Sequence, residues 1–179
     1  MEQRKYSAYA GNLPRNSVIK AIYEGAKLFM ELPDHLKLAI ADCITLHSKI
    51  EAITIEILWV LEAADLNRKR QIGTRRASLN TKDLRKVVEA IPGAVSDAIW
   101  ETSERLSEER HIIAHGVWVL VDSNKPYVVW HKWIDTNEGV VSEPFPYERF
   151  DYFIERARVL LKTFTDFKAL LEKGSKLPQ

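Results

Sequence analysis

The sequence predicts a mainly α protein: an up-and-down helical bundle of about four or five helices, with a β-hairpin inserted before the C-terminal helix. Three observations lead to this fold class: a long apolar stripe at helical spacing, a change to strand-like runs after residue 116, and an apolar helical pattern at the C-terminus. The chain has 179 residues, of which 46% are hydrophobic. That is enough for one domain over residues 1–179.

Helical periodicity and end signals place the helices at about residues 16–32, 34–61, 81–91, 95–114 and 147–173. The second helix has the most regular pattern, with apolar steps of four and three residues: Leu36, Ile40, Cys43, His47, Ile50, Thr54, Ile57, Leu61. His47 within this stripe is interpreted as a buried histidine with a hydrogen-bond partner, or alternatively as a residue of a functional cleft. Asn80 or Thr81 is expected to cap the third helix.

After residue 116 the pattern becomes strand-like. The runs 117–121 and 127–133 are rich in valine and tryptophan, and turn-forming residues lie between them at 122–126. They predict a β-hairpin, with a third short strand near Val140-Val141. The tryptophans are expected to pack this hairpin onto the helices.

A positively charged segment lies in an otherwise neutral chain. The net charge is only +1, so an attraction to nucleic acid must be local. Segment 67–78 contains no acidic residue and is predicted to be a loop. Its basic residues are candidate contacts to RNA phosphates: Arg68, Lys69, Arg70, Arg75 and Arg76. The alternative is a solvated loop that only maintains solubility. No aromatic residue interleaves it, so base stacking is not expected there.

Three features of the sequence bear on the cellular compartment: the cysteine count, the N-terminal residues and the length of the apolar runs. Cys43 is the only cysteine, so an intramolecular disulfide is excluded. The N-terminal residues lack the apolar core of a signal peptide, and no run of about 20 apolar residues could span a membrane. We expect a cytoplasmic protein with no membrane partner.

The most chemically specific feature is the run from Arg110 to Gly116 at the end of the fourth helix. On a helical wheel Arg110 lies about 40° from the apolar Leu106, so its guanidinium needs a partner or a cleft. His111 and His115 are four residues apart and share another face. Gly116 is expected to end the helix as a C-cap.

Several interpretations of these residues are open. An arginine can grip a phosphate while a histidine transfers a proton, and RNA supplies its own 2′-hydroxyl nucleophile. The two histidines could instead ligate zinc, but a metalloprotease helix needs glutamate where Ile112 stands. No metal or other cofactor is predicted. In a purely structural role, Arg110 would pair with a helix acid such as Glu56 or Glu62, and His115 would only cap the helix.

The run Glu109-Arg110-His111-Ile112-Ile113-Ala114-His115-Gly116 resembles the motif of the HEPN family. That motif is an arginine, then a polar residue, and a histidine a few residues later. The Ala-His-Gly ending, the helical layout and the chain length also resemble this family. The hairpin after Gly116 goes beyond its minimal helical core.

The resemblance implies a metal-independent endoribonuclease in a toxin–antitoxin, phage-defence or RNA-processing system. It implies a homodimer in which two motifs line one cleft, and a cognate antitoxin protein as partner in a toxin–antitoxin system. Arg110 would bind the scissile phosphate, His115 would transfer a proton, and His111 would orient the site or assist. The alternative is a noncatalytic HEPN-like module that binds RNA, nucleotides or proteins.

Overall fold

Five helices and three strands form the part of the chain that the computed structural model describes, residues 32–89, 96–121, 125–134 and 137–174. In chain order they are α1 (Asp34–Leu61), α2 (Leu66–Thr74), α3 (Ala77–Glu89), α4 (Asp97–His115), β1 (Val117–Val121), β2 (Lys125–Ile134), β3 (Asn137–Pro144) and α5 (Tyr147–Gly174). The predicted helical bundle with strands inserted before the last helix is confirmed. The helix expected over 16–32 lies outside the described residues, except for Leu32.

The long helix α1 is the centre of the bundle and packs against each of the other four described helices. Most of its predicted apolar stripe is buried: Leu36, Cys43, His47, Ile50, Thr54 and Ile57. Asp34 in the first turn places a negative charge at the positive end of the helix dipole. Periodicity and end signals therefore agree, and this helix was predicted with its observed bounds.

Helices α1 and α5 run parallel, whereas α4 runs antiparallel to both. His35 Nε2 lies 2.6 Å from Tyr147 Oη, and Lys168 Nζ lies 2.9 Å from Glu56 Oε2. Both pairs join residues 112 apart, so α1 and α5 remain in register. The start of α4 lies near the end of α5, because the rings of Trp100 and Phe164 are 5.9 Å apart.

The strands form an antiparallel sheet in the order β1-β2-β3. Both the hairpin and the third strand are thus confirmed, although β2 begins at Lys125, inside the predicted turn. Trp118 packs against the rings of Phe145 and Phe150, at 5.2 and 5.3 Å, and those two rings lie 4.7 Å from each other. This contact places the sheet at the end of the bundle where α5 begins and α4 ends.

The basic segment is a helix, so the predicted loop is wrong. Asp65 caps α2 by accepting the backbone N–H of Arg68 at 2.8 Å, and only Ile72 of this helix is buried. A single buried residue gives no apolar stripe, and the periodic pattern therefore missed the helix. The predicted cap of α3 is also wrong, because α3 begins at Ala77 and Asn80 lies buried inside it. The Asn80 side chain donates instead to the Ile72 carbonyl at 3.0 Å.

No helix in the described ranges is long and apolar enough to cross a membrane.

Candidate functional site

Arg110 is half-buried on α4, and its guanidinium has no partner among the described residues. Its Nε is buried without a hydrogen bond, and no carboxylate of the described ranges lies within ion-pair distance. The two acids considered as partners are engaged elsewhere. Glu56 pairs with Lys168 at 2.9 Å, and Glu62 accepts two bonds from Arg68, at 2.6 and 3.0 Å. The proposed structural pairing of Arg110 is therefore wrong.

The other half-buried arginines of the described ranges behave differently. Arg68, Arg75, Arg85 and Arg149 are all half-buried, and each pairs with at least one carboxylate. Burying part of a charged group without a partner costs free energy. The Arg110 guanidinium therefore keeps hydrogen-bonding capacity that no described residue uses.

His111 and His115 share one exposed face of α4, as their spacing predicts. Their ring centroids are 4.8 Å apart, and His115 is the last residue of the helix. Within the described ranges, no group of three or more histidine, cysteine or acidic side chains could hold a metal ion. The pair therefore presents two imidazoles to solvent beside the end of a helix.

Gly116 ends α4 as its C-cap, as expected. Its backbone is extended, with φ −75° and ψ 150°. A Cβ at this position would lie 2.2 Å from Val128 Cγ2 and 2.6 Å from the Ile112 carbonyl oxygen. Glycine is thus required by the close approach of β2, which fixes where His115 stands relative to the sheet.

His47 of α1 faces the same helix that carries Arg110. It is 5% exposed, and its Nε2 lies 3.2 Å from Ser107 Oγ. The Ser107 hydroxyl donates to the Ser103 carbonyl at 2.9 Å, so it must accept its other bond from Nε2–H of His47. The interpretation of His47 as a buried histidine with a partner is confirmed.

Glu51 connects His47 with the surroundings of Arg110. Its Oε1 lies 3.1 Å from His47 Nδ1, close enough for an ion pair although poorly aligned for a hydrogen bond. This contact with His47 lowers the pKa of Glu51, against the effect of partial burial, and the positive charge of Arg110 lowers it further. Arg110 therefore acts on the interface between α1 and α4.

The sequence of contacts Ser107–His47–Glu51 has the order of a hydrolase triad but lacks its chemistry. A nucleophilic serine donates its hydroxyl proton to histidine, whereas Ser107 donates to a backbone carbonyl. Ser107 also lies inside a helix, where backbone N–H groups are already bonded and cannot form an oxyanion hole. Cys43 is no better a nucleophile, since burial, followed by nearby negative charges, raises its pKa to about 12.

A charged network that the sequence did not reveal anchors the end of α4. Arg149 Nε donates to Glu109 Oε1 at 3.1 Å, and its Nη1 donates to Glu143 Oε1 at 2.6 Å. The guanidinium also lies 4.2 Å from the centre of the Phe145 ring. Burial raises the pKa of Glu109, and the neighbouring Arg149 opposes this change. The network joins α4, β3 and α5 next to Arg110.

The predicted RNA-binding residues divide into paired and unpaired side chains. Arg68 pairs with Glu62, and Arg75 pairs with Asp83 at 2.7 Å. Lys69 Nζ lies 5.8 Å from the centre of the Trp59 ring. Arg70 and Arg76 are exposed, and their side chains make no hydrogen bond or ion pair with the residues that the structure describes.

The structure separates the predicted catalytic residues from the predicted RNA-binding residues. Helix α2 follows the C-terminal end of α1, whereas the antiparallel α4 brings His115 toward the beginning of α1. At about 1.5 Å per residue, His47 and Trp59 lie about 18 Å apart along α1. In one chain, the two predicted groups therefore form two sites and not one.

No family model, curated protein or solved structure matches this chain. The HEPN resemblance therefore depends on the motif and the helical layout.

Proposed function

We propose that this protein is a metal-independent endoribonuclease of HEPN type, and that Arg110, His111 and His115 carry the reaction. The observation that supports this function best is the state of Arg110. Among the half-buried arginines of the described ranges, it alone has no carboxylate partner. Two exposed imidazoles follow it on the same helix, one and five residues later, at His111 and His115.

These groups suffice for transfer of a phosphodiester within RNA. The 2′-oxygen attacks phosphorus, the bond from phosphorus to the 5′-oxygen breaks, and a 2′,3′-cyclic phosphate and a 5′-hydroxyl form. The guanidinium of Arg110 stabilises the charge on the phosphoryl oxygens. His115 transfers the proton that leaves the 2′-hydroxyl and is needed on the departing 5′-oxygen, since histidine is the side chain best suited to proton exchange near neutral pH. The His111 ring, 4.8 Å away, orients His115 or assists the transfer.

A homodimer would explain an otherwise awkward arrangement. Along an ideal helix, positions 110 and 115 are about 7.5 Å apart and about 140° apart around the axis. Arg110 faces α1, whereas His115 is exposed. Two copies that meet near the ends of α4 would place both motifs along one cleft. We propose this homodimer as the active form, in a cytoplasmic toxin–antitoxin or phage-defence system.

The different directions of Arg110 and His115 also support a second candidate, a module that binds RNA or nucleotides without cleaving them. The same side chains would then be phosphate ligands only. Wild-type protein that binds single-stranded RNA and leaves it intact, with binding weakened by Arg110→Ala, would favour this candidate.

The test of the enzyme is cleavage of single-stranded RNA by purified protein in the presence of a chelator. His115→Ala is expected to lower the cleavage rate by about 10²-fold or more, the usual effect of losing an acid–base group. His35→Ala is the control: it removes an exposed histidine and its contact with Tyr147 but no group of the motif, and it should cleave normally. A His115→Ala variant that cleaves like the wild type would contradict the proposal.

A further inference from the structure

The fold brings an aromatic side chain to the basic helix, although none lies in the basic segment itself. Trp59 Nε1 donates to the backbone carbonyl of Lys69 at 3.2 Å. An open groove of about 580 Å³ lies beside the Trp59 ring, along the face of α2 that carries Leu66, Lys69, Arg70 and Gly73.

The groove has positive charge available for a ligand. No acidic residue lines it, and none occurs in the sequence between Asp65 and Asp83. Arg68 and Arg75 are held by carboxylates, so the cations at the groove without a carboxylate partner among the described residues are Arg70 and Lys69, whose Nζ lies 5.8 Å from the centre of the Trp59 ring. An anionic ligand in this groove would therefore contact positive charge that no lining carboxylate neutralises, beside an aromatic ring.

Gly73 keeps the edge of the Trp59 ring accessible. A glycine inside a helix costs about 1 kcal/mol relative to alanine. Packing does not require it here, because the nearest atom to a Cβ at this position would be Trp59 Cζ2, at 4.0 Å. In the described contacts, the missing side chain contributes only open space beside the edge of the tryptophan ring.

We propose that this groove binds one nucleotide of single-stranded RNA, with its base against the Trp59 indole and adjacent phosphates on Lys69 and Arg70. An aromatic face flanked by cations is the usual platform for unpaired bases. The proposal rests on the proposed function in that it takes RNA as the ligand. Because the groove is about 18 Å along α1 from His47, it holds nucleotides away from the cleaved bond.

The sharpest test fills the groove without changing charge or weakening the helix. Gly73→Leu places a larger side chain in the groove at the edge of the ring, whereas the Cβ of Gly73→Ala, the matched control, makes only an ordinary contact there. Both substitutions favour the helical state. Both are introduced into an Arg110→Ala, His115→Ala background, so that the RNA is not cut during the measurement.

We expect Gly73→Leu to weaken binding of a short labelled single-stranded RNA by about 5-fold or more, the effect of losing one stacked base. Gly73→Ala should bind as its parent does. Trp59→Phe should retain more affinity than Trp59→Leu. Lys69→Gln, Arg70→Gln should reduce the salt dependence of binding, while Arg105→Gln, on α4, should not.

Failure of this proposal can be distinguished from failure of the enzyme. If otherwise wild-type protein cleaves RNA and Gly73→Leu leaves both KM and affinity unchanged, the groove proposal is overturned and the ribonuclease stands. If the wild type neither binds nor cleaves RNA, both are overturned. Cleavage of a dinucleotide should be insensitive to Gly73→Leu, because such a substrate is too short to reach the groove.

Discussion

The basic helix α2 and the end of α4 differ in how the fold uses their arginines. In α2 a dense cluster of positive charge is partly neutralised, since Arg68 pairs with Glu62 and the adjoining Arg75 pairs with Asp83. At the end of α4 a single arginine, Arg110, is half-buried and unpaired within the described structure. The number of cations in a segment therefore says less about ligand binding than the acids that surround each cation.

The largest expected difference between the two regions is in the free energy of unfolding after alanine substitution of Gly116 and of Gly73. Gly116→Ala should lower the free energy of unfolding by about 1–3 kcal/mol, because its Cβ would overlap Val128 and a backbone oxygen that cannot move away. Gly73→Ala should instead raise it by about 0.5–1 kcal/mol through helix propensity. Denaturant unfolding of both variants measures the difference, and equal effects would show that β2 does not hold the end of α4 as described.

Breaking the network around Arg149 tests how firmly the end of α4 is anchored. Arg149→Leu leaves the half-buried carboxylates of Glu109 and Glu143 without their shared cation. We expect a loss of about 1–3 kcal/mol in unfolding free energy, reduced from the cost of a fully buried pair by solvent screening. Arg85→Leu, which breaks a more exposed pair, should cost less. The reverse order would contradict the assigned role.

Within α2, the loss of a paired arginine can be compared with the loss of an unpaired one. Arg68→Gln should lower the Tm and leave RNA affinity almost unchanged, because this side chain is committed to Glu62. Arg70→Gln should leave the Tm almost unchanged and weaken RNA binding, because this exposed side chain has no carboxylate partner among the described residues. Thermal unfolding and RNA titration on both variants would measure this exchange, and a larger loss of affinity in Arg68→Gln would show that pairing does not remove a cation from RNA binding.

A small pH effect is expected at the interface between α1 and α4. The lowered pKa of Glu51 means that its ionised form stabilises the fold. That contribution is present above the ordinary glutamate pKa of 4.5 and is lost as the pH falls through the lower value in the folded protein. The Tm difference between wild type and Glu51→Gln should therefore shrink below about pH 4.5. A difference that grows on acidification would reverse the sign of this effect.

Periodicity predicted the elements that have a long buried face. Helix α1, the hairpin and α5 were predicted because their apolar spacing extends over many residues. The buried face of α4 is less regular: Trp100 and Ser103 are buried, whereas Ile99 and Thr102 are only half-buried. Packing of Trp100 against Phe164 of α5 rotates the helix, and nothing within α4 alone indicates that partner.

The candidate site was predicted only where its properties are local. The shared face of His111 and His115 follows from helix geometry, and so does the position of Arg110 beside the apolar stripe. The partners are not local. Arg149 reaches Glu109 across 40 residues, and Trp59 reaches the basic helix only after the chain turns at the end of α1. Which cations remain available therefore depends on tertiary contacts that one sequence does not reveal.

The most direct test concerns Arg110 itself, by comparing RNA cleavage and thermal unfolding of Arg110→Ala with those of Arg105→Ala on the same helix. If Arg110 serves mainly the phosphate, its removal lowers cleavage by about 10²-fold or more and lowers the Tm at most slightly, through the loss of its effect on Glu51. Arg105→Ala should alter neither property. An Arg110→Ala variant that cleaves like the wild type, or one that loses stability in proportion to activity, would contradict the account.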